Sequence, residues 1–482
     1  MQKIILERNG FYNELSEEKQ KEYFYTKEKS SLPAIDNIYY SIFIEDDIKS
    51  ENPKLLNFFA FLDGLKIKVR EEHKPQQVTD LLYIDRGSHD LYHYKLSNPD
   101  LYDIFLASSI PNRDTPRIHI QIRSMGLWTQ GAVQTLNDSY KAICELFEGY
   151  DVVLRRCQEN RIDYAYHTNI IHNPEKSFKD DKLRTSTKTT MRHHIQAGRI
   201  ISKKDETLYK KDYLALGNRK SNNVFIRIYN KSLEVIDNGY KAFFFELWYQ
   251  NKLISYYDKF CLEKSYEKKD WNYIHQAKLM FYLEHGLDDK RKNSYKEALE
   301  DKTTTHEDYQ RLAAYLPDIT TIVNIEFETK RKFYYYSDDF IDVMLKTQQD
   351  DINPVLTRIY KIIDNRSIFL EYLTSKTFSF QKDGEYLNWW QRLRNTKLEG
   401  IKLDAKLLRS YNFECNDNMA RIKLINSLAT LSVHKNLLDK DFEENIADLM
   451  SDINDNDKNR YYQAQDKQYQ RLKNRIKKAD EK

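Results

Sequence analysis

The chain has 482 residues and a mass of 57.9 kDa, long enough for two or three domains with real cores. With 31% charged residues and a mean hydropathy of -0.78 it reads as a soluble protein, and no run nears the roughly 18 apolar residues of a membrane span. The 77 Lys+Arg against 74 Asp+Glu leave a net charge of +3, so overall charge does not demand a polyanionic partner.

The N-terminus MQKIILERNGFY lacks the apolar run and cleavage site of a signal peptide, which points to the cytoplasm. Residues 1–35 read as a charged, mostly helical arm closed by Pro33. The first strand is expected at Ile38 to Ile44, a helix over Pro53 to Val69, and a hairpin over Leu81 to Leu96 that turns at Arg86-Gly87-Ser88. Arg117 to Arg123 alternates cleanly: Ile118, Ile120 and Ile122 point one way, and Arg117, His119, Gln121 and Arg123 the other. Val133 to Gln158 has helical spacing. Arg161 to His167 then reads as a strand that sets Ile162, Tyr164 and Tyr166 against Arg161, Asp163 and His167.

The stretch GNRKSNNVFIRIYNK, Gly217 to Lys231, combines a turn-forming basic head with a short strand. Gly217 permits a positive backbone dihedral, Asn218, Ser221, Asn222 and Asn223 suit turns, and Arg219 with Lys220 places cations at the strand's mouth. Val224, Ile226 and Ile228 face one way, and Phe225, Arg227, Tyr229 and Lys231 the other. From Lys179 to Lys231 there are 14 Lys+Arg against 5 Asp+Glu, with His193 and His194 in addition. Such a local excess binds polyanions even in a nearly neutral chain, although a solvated surface would look the same. The part around Arg184 and Lys188 reads as a loop or irregular helix.

A helical insertion is expected from about Lys241 to Tyr315, then a strand in which Val323, Ile325 and Phe327 alternate with Asn324, Glu326 and Glu328. Beyond it the pattern is largely helical, and residues 457–482 form a basic tail. Cys144, Cys157, Cys261 and Cys415 are too dispersed for a zinc or disulfide framework and read as small core hydrophobes. Trp389-Trp390, beside Arg392 and Arg394, fits a core better than a base-stacking site.

Three strands distant in sequence thus each offer a polar face. If they are neighbours, Asp163 and Glu326 converge with Arg227, Tyr229 and Lys231, and paired carboxylates of that kind suit Mg²⁺ or Mn²⁺. Any half-exposed sheet also presents acids and bases, so spacing alone does not decide.

RIDYAYH, GNRKSNNVFIRIYNK and IVNIEFETKRKF, in that order, resemble the successive signatures of the Rep-trans family of rolling-circle plasmid replication initiators, which are related to nicking proteins of conjugative elements. Arg161, Ile162 and Asp163 match the first motif; Gly217, Arg219, Ser221, Tyr229 and Lys231 match the second; Glu326 alone matches the third. The likeness spans roughly Ile118 to Tyr336. His167 stands where an acid often closes the first motif and Asn324 where the third has arginine, which marks a divergent member. The resemblance implies an origin-binding DNA endonuclease and strand transferase: a tyrosine attacks a scissile phosphate, stays joined to the 5′ end and frees a 3′ hydroxyl for a polymerase. A helicase and a homodimer are further expectations.

The expected architecture is α+β: an antiparallel-sheet nicking domain over 36–336 that carries the insertion, and a helical C-terminal domain over 337–456. The metal is assigned to Asp163 and Glu326, phosphate neutralisation to Arg227 and Lys231, and DNA contact to Arg184, Lys188, Arg219, Lys220, Ser221, Asn222 and Tyr229. The nucleophile is sought among Tyr334, Tyr335 and Tyr336, just beyond the last strand. Tyr256, the first residue of a Tyr-x-x-Lys spacing that ends at Lys259, and His119-Ile-Gln121 carry the competing pattern of histidine-hydrophobe-histidine nucleases. A mobile-element relaxase and a non-catalytic origin-binding protein are the alternatives.

Overall fold

The computed structural model of the chain describes residues 29–45, 53–85, 91–110, 115–171, 183–185, 196–203, 206–285, 290–335, 345–347, 353–396, 417–435 and 441–466. By packing it divides into two units, 1–408 and 409–482.

The first unit is built on one antiparallel sheet. Its strands, in chain order, are β1 (Ser31–Ile44), β2 (Gln76–Val78), β3 (Leu81–Ile84), β4 (Tyr94–Asn98), β5 (Tyr102–Leu106), β6 (Ile118–Ile122) and β7 (Leu154–Thr168). The short β8 (Leu183–Thr185) belongs to a separate sheet, and β9 (Gln196–Lys203), β10 (Glu206–Leu216), β11 (Val224–Asn230) and β12 (Val323–Lys330) complete the large one. The spatial order is β2-β3-β4-β5-β6-β1-β7-β12-β11-β10-β9. The fold is therefore α+β, with β1, β7, β12 and β11 at the centre.

Alternation fixes which face is core. Ile38, Tyr40 and Ile42 of β1, Ile118, Ile120 and Ile122 of β6, Ile162, Tyr164 and Tyr166 of β7, and Ile325 and Phe327 of β12 all enter one apolar cluster. Helices α1 (Pro53–Glu72) and α3 (Ala132–Leu146) contribute Phe58, Leu62, Leu136 and Ile143 to it. Between them in sequence lies the short α2 (Ser124–Thr129).

Helices α4 (Lys231–Asn238), α5 (Phe243–Gln250), α6 (Tyr256–Lys268) and α7 (Ile274–His285) form a second cluster around Phe244, Trp248 and Tyr257. Two further helices, α8 (Lys292–Glu300) and α9 (His306–Ala313), pack on α7 through Leu279, Tyr295 and Tyr309. The insertion expected over 241–315 is thus helical throughout its described elements, and it separates two strands that pair directly from Val224↔Thr329 to Asn230↔Val323.

Three expectations are corrected, and two strands are added that the sequence pattern did not mark. The first strand starts at Ser31, inside the segment read as a helical arm, because Ser31 to Ile35 pair with the end of β7 at Thr168 to Tyr164. The helix after Val133 stops at Leu146, and β7 takes over from Leu154, where its first half pairs with Ile44 to Tyr40. The stretch leading to Gly217 contains β9 and β10. Polar, weakly alternating sequence forms these strands because their backbone pairing runs from Glu206↔Lys203 outward. The domain boundary does not fall at 336: α11 (Thr357–Asp364), α12 (Arg366–Tyr372), β13 (Phe378–Lys382) and α13 (Asn388–Asn395) deliver Ile359, Phe369, Phe378 and Trp390 to the main core. The five residues Arg331–Tyr335 form α10, which precedes α11 in the chain.

A buried ion pair reinforces that attachment, since Arg358 donates from Nε to Glu159 at 2.8 Å and Glu159 is 1% exposed. β13 also pairs with β8 and with β14 (Glu385–Tyr386) in the small sheet. Trp390 is core, as its sequence context suggested, and donates its indole N–H to Thr374 O at 3.0 Å. Cys157 and Cys261 are buried but Cys144 is exposed, against expectation; Cys415 lies outside the described residues. No described helix is long and apolar enough to cross a membrane. In the second unit, α14 (Asp417–His434) and α15 (Phe442–Ser451) expose Leu424, Val433, Phe442 and Met450.

Candidate functional site

The register of the central strands brings the expected side chains together in rows. Asn37, Asp163, Glu328 and Phe225 stand in one row across β1, β7, β12 and β11; Ala165, Glu326 and Arg227 form the next; His167, Asn324 and Tyr229 the one after. All lie on the face opposite Ile162, Tyr164 and Ile325 because side chains alternate along each strand. The convergence expected from sequence is present.

Its electrostatics differ from the expectation. Asp163 is fully buried and receives Arg161 Nε at 2.7 Å and Asn37 Nδ2 at 3.1 Å. Arg161 also reaches Glu328 at 2.9 Å, and Arg219 Nε meets the same Glu328 oxygen at 2.9 Å. Arg227 binds Glu326 at 2.6 Å, and Tyr229 Oη donates to the other Glu326 oxygen at 3.2 Å. The carboxylates are all but inaccessible, whereas the Arg161, Arg227 and Arg219 side chains are 18%, 27% and 53% exposed. Guanidinium groups therefore form the layer that meets solvent, with carboxylates beneath fixing their positions. Such a layer is built to receive an anion.

Titration follows from the same burial. Burial pushes the Asp163 carboxyl up to about 7 despite Arg161, and Glu326 and Glu328 add to the rise. Burial likewise raises the Tyr229 phenol, only partly offset by Lys231. Lys231 opens α4 almost completely buried; burial opposes its charge, but Tyr229, Glu234 and Asp36 hold it above the usual lysine range, with Glu234 at 2.6 Å. It supports the site from inside rather than facing solvent.

The row of His167 is roofed. Trp128 of α2 stacks on its ring at 4.2 Å and Phe244 of α5 meets it edge-on at 4.7 Å. Trp248 Nε1 donates to His167 Nδ1 at 3.0 Å, so Nδ1 carries no proton and Nε2 does. Neither nitrogen then has a free lone pair, which removes His167 as a metal ligand in this arrangement. His167 Nε2, Arg227 Nε and Asn324 Oδ1 are buried without hydrogen-bond partners among the described residues. Asp36, which receives Trp128 Nε1 at 2.6 Å, is held at about 2: burial would raise it, but Lys231 and Lys241 outweigh burial.

In this arrangement the two carboxylates assigned to the metal are taken up by arginines. Asp163 and Glu326 sit in neighbouring rows, and each is bound by its own arginine. Among the described residues, no group of three His, Cys, Asp or Glu side chains gathers. As arranged, the donors do not fit Mg²⁺ or Mn²⁺ unless Arg161 and Arg227 turn away.

The nucleophile expectation is corrected at Tyr334. It is fully buried in the main core on the other side of the sheet, hydrogen-bonded to Tyr164 Oη at 3.0 Å and Thr329 Oγ1 at 2.7 Å, and burial raises its phenol well above the ordinary value. Tyr335 ends α10, and Tyr336 lies outside the described residues. Tyr256 opens α6, packed beside Tyr249 and Phe281 in the helical cluster; Lys259 of its motif pairs with Glu246 and Glu263.

Of the expected DNA contacts, Arg219, Lys220 and Ser221 are exposed and Asn222 half-buried in the turn before β11. Gly217 adopts φ +89, a conformation side chains resist, and Asn218 N–H donates to Asn222 Oδ1 at 3.0 Å to close the turn. Tyr229 is buried rather than presented to a strand. Arg184 belongs to β8 in the small sheet, while Lys188, His193 and His194 lie outside the described residues. Sequence reasoning passed over Tyr39. It pairs with Arg161 in register, and the Arg161 guanidinium lies 4.8 Å from its ring centre.

No family model matches the chain, and no curated protein matches it. Among solved structures it is similar to a rolling circle replication initiator protein from Geobacillus stearothermophilus, with a TM-score of 0.34 and 13% identity, over 76% of this chain and 96% of that one.

Proposed function

We propose that the chain is a rolling-circle DNA replication initiator that holds one strand of its origin on the central sheet and nicks it through a covalent tyrosine–DNA intermediate. The observation that carries this reading is the arginine layer. Arg161, Arg219 and Arg227 lie on the residues that match the Rep-trans motifs or within their strands, and buried carboxylates hold each one in place. A preorganised guanidinium cluster suits a phosphodiester, because it neutralises the charge that develops on the phosphoryl oxygens without reorganising at the moment of reaction.

In the proposed step a phenol gives up its proton as its oxygen attacks phosphorus, the bond from phosphorus to the 3′ oxygen breaks, and the leaving oxygen takes up a proton, so the proton count is unchanged. Tyr335 and Tyr336 are the tyrosines left from the expected trio. Incubation with supercoiled DNA carrying the flanking region of its own gene, with Mn²⁺ and with EDTA, tests the reading. A nicked circle bearing a denaturation-resistant protein adduct supports it; intact supercoils under every divalent ion defeat it.

A second reading, an origin-binding protein that does not nick, is favoured by the ion pairs themselves. Carboxylates committed to Arg161, Arg219 and Arg227 are spent on positioning cations. Tight origin binding without nicks in the same assay would establish that reading.

A further inference from the structure

Away from the carboxylates the same sheet face changes character. Beyond Arg161 the row continues through Tyr39 and Gln121, and the next row holds Ser41 and His119. Tyr39, Tyr92, His119, Gln121 and Asn160 are all half-buried, so each keeps part of its surface toward solvent. The Tyr39 and His119 rings lie 6.2 Å apart and only 18° from parallel, while Tyr92 and Phe105 approach His119 at 5.6 Å and 5.9 Å.

These rings are held in place. Asn160 Nδ2 donates to Ser41 Oγ at 2.6 Å and approaches His119 Nδ1 at 3.0 Å, Gln158 Nε2 donates to Asn160 Oδ1 at 3.2 Å, and Tyr92 Oη donates to Pro116 O at 3.2 Å. Flat rings with fixed planes, bordered by the Gln121 and Asn160 amides, form a surface that unpaired bases can stack on. Stacking of this kind tolerates any sequence, since every base has a π-face. Arg161 joins the two regions: its guanidinium contacts the Tyr39 ring on one side and Asp163 and Glu328 on the other. A single strand whose phosphates rest on the arginine layer would bring its bases over these rings, whereas bases paired and stacked in a duplex could not lie flat on them.

We propose that Tyr39, His119 and Tyr92 form a stacking platform for unpaired bases adjoining the arginine layer, an assignment that rests on the DNA-binding reading above. Fluorescence anisotropy of the full chain tests it with three probes: a short oligothymidylate, an abasic strand of equal length, and a duplex. Wild type should favour the oligothymidylate. Tyr92→Leu and His119→Leu should each weaken that probe by about fivefold to about a hundredfold while changing abasic binding by less than about twofold, and Tyr92→Phe should restore it. The abasic strand also reports whether the variants keep their fold and arginine layer. Equal affinity for oligothymidylate and abasic strand, unchanged by the leucine variants, would overturn the platform and leave the DNA-binding reading standing. No binding of any probe by wild type would remove both.

Discussion

His167 shows how one hydrogen bond sets the chemistry of a buried residue. Trp248 donates to Nδ1, so the ring must stay neutral; protonation would break that bond and place a second cation near Lys231. Burial, followed by Lys231, holds its pKa well below the ordinary histidine value. The unfolded chain protonates this ring below about pH 6.5 and the folded chain does not, so the unfolded state binds more protons there and stability falls as the pH drops. One such group gives a slope of about 1.4 kcal/mol per pH unit below that point. Denaturant melts of wild type and His167→Gln between neutral and mildly acid pH should differ in slope by about that amount; parallel curves would show that the ring titrates normally. At Tyr334 the expectation is also specific. Tyr334→Phe removes a hydroxyl shared with Tyr164 and Thr329 and should cost about 1 kcal/mol of stability. Because it lies on the core side of the sheet, the same change should leave any protein–DNA adduct intact. Loss of the adduct without loss of stability would return Tyr334 to the active site.

At the scale of elements, the attachment of residues 353–396 to the sheet is the least intuitive feature. Phe369, Phe378 and Trp390 sit in the main core, and Arg358 satisfies the buried Glu159 of β7. A fragment ending at residue 336 would leave that carboxylate unpaired and a wide apolar face open; losing one partner of a buried pair alone costs about 3 to 5 kcal/mol. A fragment of residues 1–408 should therefore unfold cooperatively, and one of residues 1–336 should fail to fold or aggregate. Comparable melting of both fragments would reinstate the boundary expected from sequence. Much of the sheet was legible because strong alternation marks β6, β7, β11 and β12, and alternation also told which of their residues share the polar face. Register was not legible, and so the pairing of Tyr39 with Arg161 and of Asn37 with Asp163 went unseen. Neither was the side of the sheet that α10 turns toward, which decides the fate of Tyr334. β9 and β10 were missed because their polar sequence carries little apolar periodicity; pairing with neighbouring strands, a nonlocal fact, makes them strands.

For the whole molecule, a net charge of +3 gives little general attraction for DNA, so under the proposed function affinity comes from where the cations are placed. Arg219 and Lys220 are the exposed end of that arrangement, and Arg161 and Arg227 the recessed part. Each phosphate neutralised on a single strand contributes about -0.7 to the slope of log affinity against log salt. Replacing Arg219 and Lys220 together by alanine should flatten that slope by roughly one to two units under the same relation. The substitution suits the test because the site survives it: Glu328 keeps Arg161 at 2.9 Å, so no buried carboxylate is orphaned. Gly217 and Asn222, which shape the turn, are untouched. Titrations of a single-stranded origin fragment at several salt concentrations give the slope directly, and thermal melts confirm that both proteins are folded. An unchanged slope would mean that the strand does not pass over the mouth of β11. A slope reduced far more than two such contacts allow would mean that losing this pair dislodges the strand from Arg161 and Arg227 as well, making the turn the point at which the DNA path is fixed.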